Sequence, residues 1–294
     1  MRAKTLLLAT LILAGCAAAP NSANSPTEPP RLKAALEAES DGAKRYGRGD
    51  YAAAARRFDE AARTYASIDD TPGTVRNRLH QARSELAQGH AEAALLTLES
   101  AERGSDAGPA LDTLLLKAQA QMALDRQAAA QQNLATASGQ CAGACPQAAS
   151  LHLLQARVAL AANRAPDALV QAEAALKLLQ GKDEAAEIGN AWRLIAAARL
   201  AGGDAGGALP AAQAALEIDR RLALPEKIAR DWLLIGDIRR KVMRSGIHSD
   251  GADDTAAAYR RALDVANAAG LVDLARLATR ALAAGNEVPP GRKP

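Results

Sequence analysis

The residues best able to do chemistry in this 294-residue chain are three cysteines and four histidines. Two of the cysteines stand together in Cys141-Ala-Gly-Ala-Cys145, separated by small residues. In an oxidising compartment that spacing favours a local disulfide. A redox-active pair is better signalled by Cys-x-x-Cys at a helix start, and zinc needs two more ligands than this loop supplies. His152 follows seven residues later, but one histidine does not complete a tetrahedral site, and His80, His90 and His248 are dispersed along the chain. No Gly-x-Ser-x-Gly elbow, His-Glu-x-x-His helix or Gly-x-x-x-x-Gly-Lys phosphate loop occurs. Carboxylates mostly accompany cations, as at Arg56, Arg57, Asp59 and Glu60, the pattern of a solvated helix face. The expectation is a non-enzymatic chain with no catalytic residue, cofactor or metal.

The third cysteine lies near the start of the chain. Arg2 and Lys4 precede an apolar run from Leu6 to Ala14, which Leu13-Ala14-Gly15-Cys16 closes. So short a run cannot hold a helix permanently across a bilayer, and the whole has the form of a secretory signal peptide. Leu-Ala-Gly-Cys resembles the lipobox of bacterial lipoproteins, which implies removal of residues 1–15 and acylation of Cys16. Ala17 stands where an aspartate would, by the same resemblance, favour the inner membrane. The expected address is therefore the outer membrane, facing the periplasm and attached by lipid alone. Residues 16–30 carry Pro20, Pro26, Pro29 and Pro30 among Asn, Ser and Thr, too polar to fold and suited to a tether.

The rest is 49% hydrophobic over the whole chain, much of it alanine, and only 2% aromatic. Alanine-rich helices approach closely and pack thinly, which favours stacked helices over one thick core. Losing Arg2 and Lys4 lowers the formal charge from +3 to about +1. Nucleic-acid binding rests on a concentrated cationic excess, so nucleic acid is not an expected partner.

Six times a small residue, a larger or small apolar one and an alanine recur in the same order: Ala54/Phe58/Ala61, Ala94/Leu98/Ala101, Ala130/Leu134/Ala137, Ala168/Ala172/Ala175, Ala208/Ala212/Ala215 and Thr255/Tyr259/Ala262. They place repeats at 35–68, 75–108, 111–144, 149–182, 189–222 and 229–269, with starts 40, 36, 38, 40 and 40 residues apart. Such a period marks a helical array whose units bury their apolar faces against neighbours. Turns are expected at Gly49-Asp50, Gly89-His90, Asp125-Arg126, Asn163-Arg164 and Gly202-Gly203-Asp204, where a residue tolerant of positive φ can end the first helix of each pair. Arg244 to Gly251 lengthens the last such turn. Leu271 to Ala284 reads as an amphipathic capping helix, with Leu271, Leu274, Ala278, Ala281 and Leu282 on one face.

Trp232-Leu-Leu-Ile-Gly236, Trp192 with Ile195 and Ala196, and Gly42 with Gly49-Asp50-Tyr51 resemble tetratricopeptide repeats, strongly at both ends and weakly in the middle. HEAT-type repeats share the period and are the structural rival. The resemblance implies an all-α, right-handed α-solenoid of about six helix pairs plus a C-terminal capping helix over residues 31–284, with a disordered tail at 285–294. It also implies that the first helix of each pair lines a concave groove through the second, fifth, ninth and twelfth repeat positions. Those positions carry Arg76, Leu79 and Arg83; Leu115; Leu153 and Arg157; Arg193; and Arg230, Leu233 and Arg240. Arginine pairs bidentately with carboxylates while its stem packs on aliphatic carbon.

The functional expectation is an outer-membrane lipoprotein that acts as a scaffold or adaptor for other envelope proteins, receiving an acidic, partly apolar segment in this groove. A periplasmic accessory regulator of a cell-wall enzyme is the alternative, with a small-molecule binder behind it.

Overall fold

The computed structural model describes residues 29–103, 110–141, 145–245 and 252–286. Cys16, the signal peptide, all but the end of the tether, residues 246–251 of the expanded turn and residues 287–294 lie outside the described residues.

Thirteen helices are present among the described residues: α1 (Pro30–Gly47), α2 (Tyr51–Ala66), α3 (Thr71–Ala87), α4 (Ala91–Arg103), α5 (Leu111–Ala123), α6 (Gln127–Gln140), α7 (Ala148–Ala161), α8 (Ala165–Leu179), α9 (Ala185–Ala201), α10 (Ala205–Arg221), α11 (Pro225–Arg244), α12 (Ala252–Ala268) and α13 (Val272–Asn286). Each repeat holds one helix pair and α13 follows as the expected cap, although the first helices begin up to five residues before the repeat start, as at Pro30 against 35 and Pro225 against 229. All five expected turns within a pair contain a residue in the left-handed region: Gly49, Gly89, Asp125, Asn163 and Gly203, at φ between 56 and 90°. At each, the next backbone N–H reaches back to a carbonyl five residues earlier, as from Asp50 to Arg45 at 3.0 Å and Arg126 to Gln121 at 2.8 Å. That 6→1 bond satisfies a carbonyl that the helix end would orphan. At three turns, two within a pair and one between pairs, the following aspartate caps the next helix: Asp50 accepts from Ala53 N–H, Asp70 from Gly73 and Asp204 from Gly207.

The recurring triads are buried throughout, from Ala54, Ala61 and Ala94 at 0% exposure to Thr255 at 5%. Opposite them the first helices present equally small residues: Ala82, Ala118, Ala156 and Ala196, all 0% exposed. Alanine facing alanine brings the helix axes close. In the first and last repeats glycine and an aromatic exchange these roles. A Cβ on Gly42 would come within 2.8 Å of the Phe58 ring, and one on Gly236 would overlap Tyr259.

Each helix packs on the next, and from α3 onward each odd-numbered helix also packs on the next odd-numbered one, while no even-numbered pair packs comparably. The odd-numbered helices therefore form the inner layer of a curved stack and the even-numbered ones the outer layer. The joint between α6 and α7 is among the sparsest. There Cys141 and Cys145 are joined, with Cα atoms 5.4 Å apart, and Cys141 packs with Leu134, Leu151 and Leu154. α13 covers the open end of the last pair through Leu274 and Ala278.

Candidate functional site

The inner layer does not present all the expected residues to a groove. Leu79, Leu115 and Leu153 are only 6 to 9% exposed, and the expectation that they contact a partner is corrected. Leu79 packs with Leu116 of α5, Leu115 with Leu151 of α7 and Leu153 with Ala191 of α9. Leu233, half-buried, packs toward Leu271 and Leu274 beside α13. The fifth repeat position thus points into the seam between successive inner helices. The ninth position, with Arg83, Gln119, Arg157, Ala197 and Asp237, is left partly or fully exposed, as is the second, with Arg76 and Arg230.

The same geometry corrects Arg193, which also occupies a fifth position. Its guanidinium is buried at the meeting of three helices. Nε donates to Asp231 Oδ1 of α11 at 2.6 Å, Nη1 to Asn190 Oδ1 at 3.0 Å, and Nη2 to Asp219 Oδ2 of α10. Both aspartates are 0% exposed, and Asp219 Oδ1 has no hydrogen-bond partner. Two buried carboxylates around one cation leave an excess negative charge, and burial raises the Asp231 pKa well above the carboxylate range, with Asp219 adding to the rise. Asp219 and Asp231 were missed in the sequence, where the one available signal is a charged residue set among apolar neighbours, as in Asp231-Trp232-Leu233.

Arg76 donates from Nε and Nη2 to the two oxygens of Glu39 at 2.7 and 2.9 Å, while Tyr65 Oη donates to Oε2 at 2.8 Å. The bidentate arginine holds the Glu39 carboxyl down at about 2 against the opposing effect of burial. Arg240 repeats this device at the other end: its Nη2 and the Tyr259 hydroxyl both donate to Asp237 Oδ1, at 2.6 and 2.7 Å. Each arginine also lies over its tyrosine, with Cζ 5.4 and 5.5 Å from the ring centroids. Arg230 pairs with Glu226 at 2.9 Å, and Arg83 reaches Asp112 loosely at 3.9 Å. Tyr65, next to the end of α2, is core at 1% exposure.

Arg157 is the exception. Among the described residues it makes no hydrogen bond or ion pair. Water reaches its side chain, yet burial pushes its guanidinium below its ordinary pKa and the positive charge of Arg230 pushes the same way. Arg157 stands on α7 and Arg230 on α11, so Arg230 acts on it past the intervening α9.

On the outer side a cleft of about 350 Å³ opens between α6 and α8, lined by Gln131, Leu134, Gln155, Val158, Val170 and Gln171. Its polar lining is three glutamine amides and the Arg164–Asp167 ion pair at 3.1 Å. His152 faces Gln171, with Nδ1 at 2.6 Å from the amide oxygen, and His80 stacks on Phe58 at 5.0 Å between centroids. No group of three or more metal-ligating side chains occurs among the described residues, nor is any described helix long and apolar enough to cross a membrane.

Paired antiparallel helices of this length, turned by left-handed residues and stacked with one helix of each pair inside, also occur in solved structures. The fold is a tetratricopeptide-type solenoid. The chain superposes on the Cut9–Hcn1 tetramer of the APC/C with a TM-score of 0.68 at 14% identity, over 86% of its own length and 43% of that chain. It therefore spans less than half of that protein. A thermophilic tetratricopeptide-repeat protein of Thermus thermophilus aligns at 23% identity over 68% of this chain and all of that one, with a TM-score of 0.52. A Rap protein complexed with competence and sporulation factor aligns at 12% identity and 0.59, covering 86% and 77%. No protein-family model matches the sequence, and no curated protein matches it.

Proposed function

We propose that this solenoid is a non-enzymatic scaffold that receives an extended, acidic segment of another protein on its concave face. The observation that carries the reading is the unpartnered Arg157, on the ninth-position row and within reach of Arg230's field. Every other arginine expected in the groove has a carboxylate within 4 Å. A guanidinium open to solvent, partly desolvated by its surroundings and without a counter-ion, is well placed to gain from an incoming carboxylate. The Rap structure, complexed with competence and sporulation factor, supports reading a fold of this kind as a binding scaffold. The resemblance of Leu13 to Cys16 to a lipobox supports an outer-membrane lipoprotein facing the periplasm, so that the partner belongs to the cell envelope and the membrane contact is the lipid anchor.

The groove reading is tested with extended peptides of alternating Glu and Leu, and of Gln and Leu, by fluorescence anisotropy. The acidic peptide should bind and the amide peptide should not, and Arg157→Glu should abolish binding without lowering the melting temperature. Equal binding of the two peptides, or full binding by the folded Arg157→Glu variant, refutes it. Labelling with radioactive palmitate, lost in Cys16→Ala, tests the anchor.

A further inference from the structure

Trp232 leaves α11 and packs among Ala212 and Leu216 of α10 and Ala258 and Ala262 of α12. Two guanidinium groups, one from each of those outer helices, close on its ring. Arg220 Cζ lies 5.1 Å and Arg261 Cζ 4.7 Å from the ring centroid. Trp232 is 7% exposed, while both arginines are exposed. Among the described residues neither has a carboxylate partner, although Glu217 precedes Arg220 by three residues and Asp264 follows Arg261 by three, spacings at which helical ion pairs ordinarily form.

The chemistry left unused is specific. A guanidinium over an indole spends its face on the ring's electron density, while its N–H donors lie in its own plane and stay free. Both Cζ atoms sit within 5.1 Å of one centroid, so the cations are separated by no more than about twice that distance and repel. The carbonyl end of α10 offsets the charge of Arg220, which stands in its last turn. Arg261 lies inside α12, away from any helix end. Two forks held at one tryptophan are exposed on the outer surface, and among the described residues no carboxylate pairs with either. A carboxylate has two oxygens and satisfies one fork; a phosphate group has enough oxygens to serve both.

We propose that Arg220 and Arg261, held against Trp232, form a binding site for a phosphate-bearing anion on the outer face of the last two repeats. The site is separate from the concave groove and does not depend on it. Two sources supply that chemistry, free phosphate and the phosphate of a lipid headgroup.

The chain contains two tryptophans, so Trp192→Phe in the full-length chain leaves Trp232 as the reporter. Its emission is followed during titration with inorganic phosphate at constant ionic strength set with chloride, and with phosphatidylglycerol-containing vesicles against pure phosphatidylcholine. A saturable change in either titration is expected, in the phosphate arm if the free ion suffices and in the vesicle arm alone if a headgroup is required. Adding Arg220→Gln and Arg261→Gln should weaken it by about tenfold or more, while Arg221→Gln with Arg260→Gln, which removes equal charge from the same helices, should leave it intact; circular dichroism verifies that each variant is folded. No response in either titration, equal binding by the folded Arg220/Arg261 variant, or equal loss in the Arg221/Arg260 variant overturns the proposal.

Discussion

Replacing Arg193 with methionine should cost about 3–5 kcal/mol at neutral pH, the range for removing one partner of a buried ion pair. The side chain would still fill its space, but Asp219 and Asp231, both 0% exposed, would keep their desolvation cost without a counter-charge. Asp231→Asn acts in the opposite sense. It leaves a one-to-one pair of Arg193 and Asp219 and supplies an amide donor to the orphaned Asp219 Oδ1, so stability at neutral pH should hold or rise. The pH dependence separates these effects. Asp231 is raised from 3.8 to about 7, so the folded state binds a proton more tightly than the unfolded chain. The stability this contributes is complete below the unfolded value and is lost as pH rises toward the folded one, on the order of 4 kcal/mol across the window. His80, lowered by burial, works against this trend as pH falls, so the decisive quantity is the difference between wild type and Asp231→Asn. In urea titrations followed by tryptophan emission, wild type should gain stability from about pH 7.5 to about pH 5, and the variant should gain much less. A variant with the wild-type slope, or an Arg193→Met protein that unfolds at the wild-type urea concentration, refutes the reasoning.

Gly236→Ala should destabilise by about 1–3 kcal/mol in thermal melts, since its methyl meets the Tyr259 ring, which Asp237 holds in place. Gly47→Ala, where a methyl meets nothing within 4 Å, is the neutral control. Ala223 has φ of 51° in the turn between α10 and α11, so Ala223→Gly should stabilise by about 0.5–1 kcal/mol in urea titrations, by relieving the left-handed strain of an L-residue. Reducing Cys141 and Cys145 releases a loop so short that about 2 kcal/mol is at stake. Hydrogen exchange should accelerate at the end of α6 and the start of α7 and stay unchanged in α9 to α11.

The architecture was legible because it is written at short range. A helix returns the same face every three to four residues, so a small residue needed at a close crossing must recur at that spacing, and Ala54, Phe58 and Ala61 do so in a single helix. The turns were legible for a similar reason, because a left-handed residue is demanded at one backbone position whatever surrounds it. The charges were not legible, since Arg193 finds its aspartates 26 and 38 residues away and Arg76 finds Glu39 at 37. The separations of 38 and 37 lie near the repeat period because one residue of an inner helix meets its counterpart on the next, with an offset that depends on how far each helix slides along its neighbour, whereas Asp219, 26 residues on, belongs to an outer helix.

One offset accounts for both corrections. If the fifth position of one inner helix abuts the second or third of the next, leucine there becomes core and a charged residue there must find its partner inside the protein. Leu115, Leu153 and Arg193 follow that rule, and so does Glu39, whose partner Arg76 stands at the second position of the next repeat; Leu79 is core as well, but packs on Leu116, the sixth residue of its neighbour. The rule also says where to look for function. A side chain at the ninth position has passed the seam and faces the hollow of the curve, where the protein supplies partners only if a neighbouring ninth or second position happens to carry the opposite charge. Arg83 meets Asp112 in this way, and Asp237 meets Arg240 one turn along its own helix. Arg157 meets only another arginine's field, which makes it the one expected groove cation whose partner must come from outside the described chain.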